Sequence, residues 1–425
     1  DNGFRIAVVC VGTGRSPKEE LEMKNRGGFG LASFVLAVFL TQNAALSSKA
    51  KLPHIRVGGI IGIAHLAFFA VRAIPLILVS WWLGLGTRDQ NGTQDGMWQE
   101  ILRAGTQFAF RNLDQHTLRF LLKLAAKIQK YLCRYNHSRR MVCNDVECEY
   151  YSLTPYLNPQ DVNILIYCHG GAFCVGNADM YLSSFHRICT HMQQKNIPFG
   201  ILSVEYRLAP EHTYPAQIHD VLDVYKWALF HCSRHVLIGG DSAGGSLAVA
   251  CGLTAMDTQL PPPSGLVLIS PWVDLTSKGH PENPSRFADF ISCDALDVLA
   301  RLYMYGKNET KAADHNILPT DPLISVLYAS EKKLKNLPPC LVTCGGREIF
   351  IPQISAFVNK LAEETTEFHI NPRGFHICDL MGLLLPSHGE RGMQTLAKFI
   401  EKITSSVGNS GANSNRGNNK GKKQY

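Results

Sequence analysis

HVLIGGDSAGGSL, residues 235–247, decides the fold. Val236–Ile238 is a short apolar run of the kind that forms a buried strand. A turn of small residues follows, and Ser246-Leu247-Ala248-Val249-Ala250 opens a helix. Strand, tight turn and helix around Gly240-Asp241-Ser242-Ala243-Gly244 match the setting that lifts a serine hydroxyl out of a sheet. Glycines are needed at its flanks because neighbouring backbone passes too close for a side chain. The same pattern also occurs in ordinary Gly-rich turns, so its weight depends on the residues around it.

Working outward, apolar runs at Ile164–Tyr167, Phe199–Tyr206, Leu266–Ile269, Leu341–Cys344 and Phe368–Ile370 alternate with helical patterns. Those patterns lie near Gln217–Phe230, Gly244–Ala255, Gln353–Glu364 and Arg391–Ile403. The alternation predicts an α/β fold with a mostly parallel central sheet flanked by helices. Ligands of such sheets bind outside the carboxyl ends of the strands. Residues 98–135 show helical periodicity and are expected to form a cap, with a second insertion from about 274 to 335. The boundaries expected are a segment over 1–56, an apolar span over 57–86, a helical cap or linker over 87–145 and a catalytic domain over 146–405. Residues 406–425, rich in Gly, Asn, Ser and Lys, cannot bury a core and read as disordered.

Three groups join Ser242. His169-Gly170-Gly171 follows the strand ILIYC, and backbone N–H groups of a Gly-Gly turn can approach an oxyanion unobstructed. Gly170, Gly171 and Ala243 are therefore the expected oxyanion donors. His376 lies in a loop after the last strand, where the order Ser, acid, His puts the base. His369, inside a strand, and His388, at the start of the final helix, are weaker candidates. Glu348 directly follows the strand LVTCGG and is the expected acid that orients the base; Asp321 is the alternative. Arg207 and Glu211 are expected to pair beneath the oxyanion turn, and Asp241 to be structural.

The motifs HGGAF (169–173), YRLAPEH (206–212), YPA (214–216) and GDSAGG (240–245) together resemble the hormone-sensitive-lipase branch of the α/β-hydrolase superfamily. The likeness covers about 162–403. It implies an α/β-hydrolase fold with a helical cap and a serine esterase that needs no metal or organic cofactor. The second and third residues of the HGG motif, Gly170 and Gly171, correspond to oxyanion donors. Ala172 stands where many relatives have Gly, and Glu348 where an Asp often stands. With its apolar N-terminal stretch, the chain looks most like membrane-anchored arylacetamide deacetylases and fungal steryl acetyl hydrolases. That implies short-chain, above all acetyl, esters of lipophilic alcohols such as sterols. Arylacetamides, a broader ester range and a non-catalytic ligand receptor are the alternatives, because a fold does not fix a function.

The 425 residues are 45% hydrophobic, enough for one large domain with a sizeable core. The net charge of +7 falls partly on the acid-free tail, so no dense basic patch marks a nucleic-acid partner. The 13 cysteines show no zinc spacing. Met23 followed by the apolar run Phe29–Leu40 reads as a signal peptide or anchor. Val57–Gly86, although interrupted by His65, Arg72 and Pro75, exceeds the roughly 20 residues a bilayer span needs. Sequons at Asn91, Asn136 and Asn308 fall after it and suggest glycosylation, with a luminal catalytic domain in the endoplasmic reticulum.

Overall fold

The computed structural model describes residues 58–82, 96–132, 137–153, 161–232, 235–276, 289–307, 317–381 and 386–405. The segment 1–56, the tail and the asparagines of all three sequons lie outside them.

Three helices precede the sheet: α1 (Gly59–Trp82), α2 (Met97–Asn112) and α3 (Gln115–Leu132). A hairpin follows, β1 (Ser138–Cys143) and β2 (Val146–Tyr151), turning at Asn144-Asp145 with both φ positive. That conformation matches the twist of a two-residue hairpin loop. The hairpin straddles residue 146, so the sheet domain begins at 138 and the expected boundary moves upstream.

The rest of the sheet comes from β3 (Asn163–Cys168), β4 (Phe199–Val204), β5 (Val236–Asp241), β6 (Leu266–Ile269), β7 (Cys340–Gly345) and β8 (Thr366–Asn371). The order is β1-β2-β4-β3-β5-β6-β7-β8; β2 is antiparallel to both neighbours and all other pairs are parallel. Between the strands run α4 (Leu182–Gln194), α5 (Ala216–His231), α6 (Ala243–Asp257), α7 (Cys293–Tyr305), the short α8 (Glu331–Lys335), α9 (Ile351–Val358) and, last, α10 (Pro386–Ser405).

Side-chain alternation divides the core. Ile164, Ile166 and Ile238 pack with Val221 of α5 and Leu247 of α6 on one face. Leu165, Tyr167 and Leu237 pack with Phe185 of α4 and Leu396 of α10 on the other. The central strands are buried on both faces, which is why they read as unbroken apolar runs.

The helices ahead of the sheet are tied to it. Leu113 and Leu118 enter the core, and Arg119 of α3 donates to the carbonyls of Cys174 (2.7 Å) and Ala209 (2.6 Å). The described part of the apolar span expected over 57–86 is α1, which lies along α2 with Phe69 and Phe108 stacked at 4.2 Å. Among the described residues no helix is long and apolar enough to cross a membrane.

Candidate active site

Parallel register brings the carboxyl ends of β3, β5, β6, β7 and β8 to one edge. Cys168 pairs with Gly240, Asp241 with Ile269, Ile269 with Thr343, and Gly345 with Asn371. The turns leaving that edge carry Gly170, Ser242, Glu348 and His376.

Ser242 occupies the turn between β5 and α6 at φ +52°, ψ −122°. A left-handed φ costs a residue with a side chain about 1–2 kcal/mol, so the surroundings must impose it. Ser242 N–H donates to the Ile269 carbonyl, and Trp272 N–H donates to the Ser242 carbonyl, both at 2.9 Å. Gly244 completes the turn, since a Cβ there would overlap the Cys168 carbonyl. Ala243 begins α6, so its N–H stands at the positive end of a helix.

The oxyanion turn differs from the expectation in one donor. Gly170 N–H donates to Asp241 Oδ1 at 2.9 Å and is thereby spent. The N–H groups of Gly171, Ala172 and Ala243 have no acceptor among the described residues. The set available to an oxyanion is therefore shifted by one residue, to Gly171, Ala172 and Ala243. Ala172 and Phe173 sit at φ +52° and +61°, a geometry glycine adopts without strain. Asp241 is a structural hub, accepting also from Tyr167 (2.9 Å) and Tyr181 (2.7 Å). Burial pushes its carboxyl up to about 6, against the pull of those hydroxyls. His169 stacks on Tyr206 at 4.2 Å and its Nδ1–H donates to the Gly170 carbonyl at 2.7 Å, which fixes the turn from beneath.

Glu348 and His376 are brought together, both essentially inaccessible, with Oε2 3.8 Å from Nδ1. Glu348 Oε2 accepts from Ser270 Oγ (2.6 Å) and Gly345 N–H (3.1 Å). Burial pushes the Glu348 carboxyl up to about 8, partly offset by those two donors. Burial lowers the His376 pKa, opposed by the negative fields of Asp289 and Asp241. His376 lies edge-on to Phe350 (5.0 Å) and Phe290 (5.7 Å), so the pair sits in an aromatic, water-poor surround. A base held this way can take a proton from a serine hydroxyl, and Glu348, once ionised, can stabilise the resulting imidazolium beside Nδ1.

The alternatives are placed elsewhere. His369 is half-exposed on β8, 3.9 Å from Glu367. The His388 side chain lies outside the described residues. Asp321 accepts from Leu323 N–H at 2.8 Å, capping its own turn.

Arg207 and Glu211 do not pair with each other. Arg207 grips Asp220 at 2.6 Å on α5, and Glu211 meets Arg119 at 2.9 Å. The helices ahead of the sheet, which sequence periodicity could not orient, supply the partner for Glu211.

Sequence reading also missed Ser270, Asp289 and Arg119. Ser270 was findable as the first polar residue after the strand LVLI; Asp289 lies in a stretch with no periodicity. Among the described residues no cluster of His, Cys, Asp and Glu could hold a metal ion.

A sequence profile described as alpha/beta hydrolase fold matches residues 165–378. An esterase of Acinetobacter venetianus is 30% identical over 209 residues, which are 48% of this chain and 63% of that protein. An acetyl-hydrolase of Streptomyces hygroscopicus is 28% identical over 249 residues, 58% of this chain and 77% of that one. Among solved structures, an esterase/lipase from an uncultured bacterium superposes with a TM-score of 0.59 at 22% identity, over 73% of this chain and 100% of that one. An esterase from the bacterial hormone-sensitive lipase family gives 0.59 at 24%, over 74% and 100%. At these identities the two structures speak for the fold.

Proposed function

The chain belongs to the α/β-hydrolase fold family, and on that premise we propose that it is a serine esterase. Its substrates are short-chain, above all acetyl, esters of lipophilic alcohols such as sterols. The observation that carries this reading is Ser242 held at φ +52° beside an oxyanion turn with unspent N–H groups, on the edge that also bears the buried Glu348–His376 pair.

In the proposed reaction Ser242 Oγ attacks the ester carbonyl carbon and its proton passes to His376 Nε2. The carbonyl oxygen becomes an oxyanion facing Gly171, Ala172 and Ala243. The intermediate collapses, the alcohol leaves with the proton from His376, and an acyl-serine remains. Water, deprotonated by His376, then releases the acid and restores Ser242.

The acyl preference is supported by the similarity to a protein named acetyl-hydrolase. The lipophilic alcohol is supported by the aromatic surround of the base and by apolar side chains left at the surface. Ile60, Phe68, Val71 and Trp82 of α1 are exposed, as are Phe120, Leu124, Ile128 and Tyr131 of α3. Lys123 and Lys127 lie exposed along the same helix, a composition suited to a membrane surface. A luminal setting in the endoplasmic reticulum belongs to the same proposal and rests on the three sequons; an endoglycosidase mobility shift tests it. A broad-specificity carboxylesterase is the second reading, favoured by similarity to a protein named simply esterase.

Hydrolysis of a sterol acetate beside p-nitrophenyl acetate, with Ser242→Ala as control, tests the proposal. Cleavage of both, abolished in the variant, supports the sterol ester reading. Cleavage of the small ester alone leaves the second reading, and cleavage of neither by folded protein removes both.

A further inference from the structure

Asp289 belongs to none of the motifs, yet its carboxylate is fully buried beside the Glu348–His376 pair. Its Oδ2 accepts from Ile349 N–H at 2.8 Å, and Ile349 is the residue after Glu348. Its Oδ1 accepts from His376 N–H at 3.3 Å and from Phe290 N–H at 2.7 Å. One side chain thus clamps the backbone of the acid loop and that of the base loop, 60 and 87 residues away in sequence. Both oxygens act as acceptors, so an amide, with one oxygen and one NH2 group, cannot replace it without setting donor against donor.

The clamp is itself held from the helices ahead of the sheet. Gln107 of α2 donates its amide to the Asp289 carbonyl at 2.5 Å. Phe290 follows directly, edge-on to His376 and to Phe375.

From these contacts we propose that Asp289 is a positioning residue for the triad. Its carboxylate fixes the Glu348 and His376 loops relative to one another, holds a negative charge facing the imidazolium as it forms, and links α2 to the reacting groups through Gln107. The inference rests on the esterase reading of the Glu348–His376 pair. A buried carboxylate is costly to keep charged, and burial raises Asp289 to about 6 while the field of His376 opposes this. Retaining it next to the base is accounted for by the two loops it joins. The other charged groups facing the pair are Asp241, toward His376, and Asp379, toward Glu348.

The test compares wild type, Asp289→Asn and Gln107→Ala on p-nitrophenyl acetate across pH, with Ser242→Ala as reference. Hydrogen bonds to charged groups of this kind correspond to about 10–100-fold in rate. Asp289→Asn is expected to lower kcat by that factor with KM within about twofold. The acidic limb of kcat/KM should also move to lower pH, because a negative charge facing His376 is gone. Gln107→Ala, which leaves the carboxylate in place, should lower kcat by about threefold without moving the limb. Wild-type kcat and an unmoved limb in folded Asp289→Asn overturn the proposal. If that variant does not fold, Gln107→Ala decides: a lowered kcat at unchanged KM supports the clamp, and wild-type kcat overturns it. Retained activity in Ser242→Ala would instead strike the esterase reading and, with it, the premise of the clamp.

Discussion

Glu348 Oε2 stands 3.8 Å from His376 Nδ1, an ion-pair separation that is too long for a hydrogen bond. Catalytic hydrogen bonds often tighten only when charge develops on the base. A phosphonate adduct on Ser242, which makes His376 cationic, should draw Nδ1–H onto Glu348 and give a strongly downfield proton resonance. Glu348→Gln should lack that resonance and lose kcat by on the order of 10³–10⁴. An unchanged kcat in Glu348→Gln would remove Glu348 from the triad.

Asp241 ties the nucleophile turn to the oxyanion turn through Gly170 N–H. Asp241→Ala leaves that buried N–H and two tyrosine hydroxyls without their acceptor. Each such loss costs about 1–3 kcal/mol, so the melting temperature should fall and kcat should drop more than KM rises. Thermal unfolding and steady-state kinetics on the same sample check both. A variant of unaltered stability would show that the hub does not carry the turn.

The pH profile follows from burial. His376 must be neutral to accept a proton, and burial lowers its pKa below the ordinary 6.5. The neutral base therefore persists to lower pH than for an exposed imidazole. The acidic limb of kcat/KM is expected to have its midpoint below pH 6.5, read with an uncharged ester. A midpoint above 6.5 would mean either that the negative charges of Asp289 and Asp241 outweigh burial or that Glu348, pushed up to about 8, must lose its proton as well.

The sheet was legible because its central strands are apolar on both faces, a pattern that needs no partner to be recognised. The candidates Ser242 and Glu348 could be picked out because they follow such strands, whereas His376 follows the half-exposed β8 and was picked by chain order. The hairpin at Ser138–Tyr151 was not, since Arg139, Arg140, Glu147 and Glu149 break its apolar pattern. The pairing of Arg207 was misread because its partner, Asp220, sits one helix further on and only packing brings them together. The claim of Asp241 on Gly170 N–H was invisible for a similar reason, since it spans 71 residues. Asp289 carried no local signal at all, because its work is done by two carboxylate oxygens on three backbone groups.

The central claim is that Ser242 is a nucleophile activated by its turn and by His376. Its most direct test is the intact mass of the protein after exposure to a fluorophosphonate, for wild type and Ser242→Ala. One adduct, mapped to Ser242, missing from the variant and accompanied by loss of ester hydrolysis, is the predicted result. An unmodified wild-type protein, or equal labelling of Ser242→Ala, would contradict it.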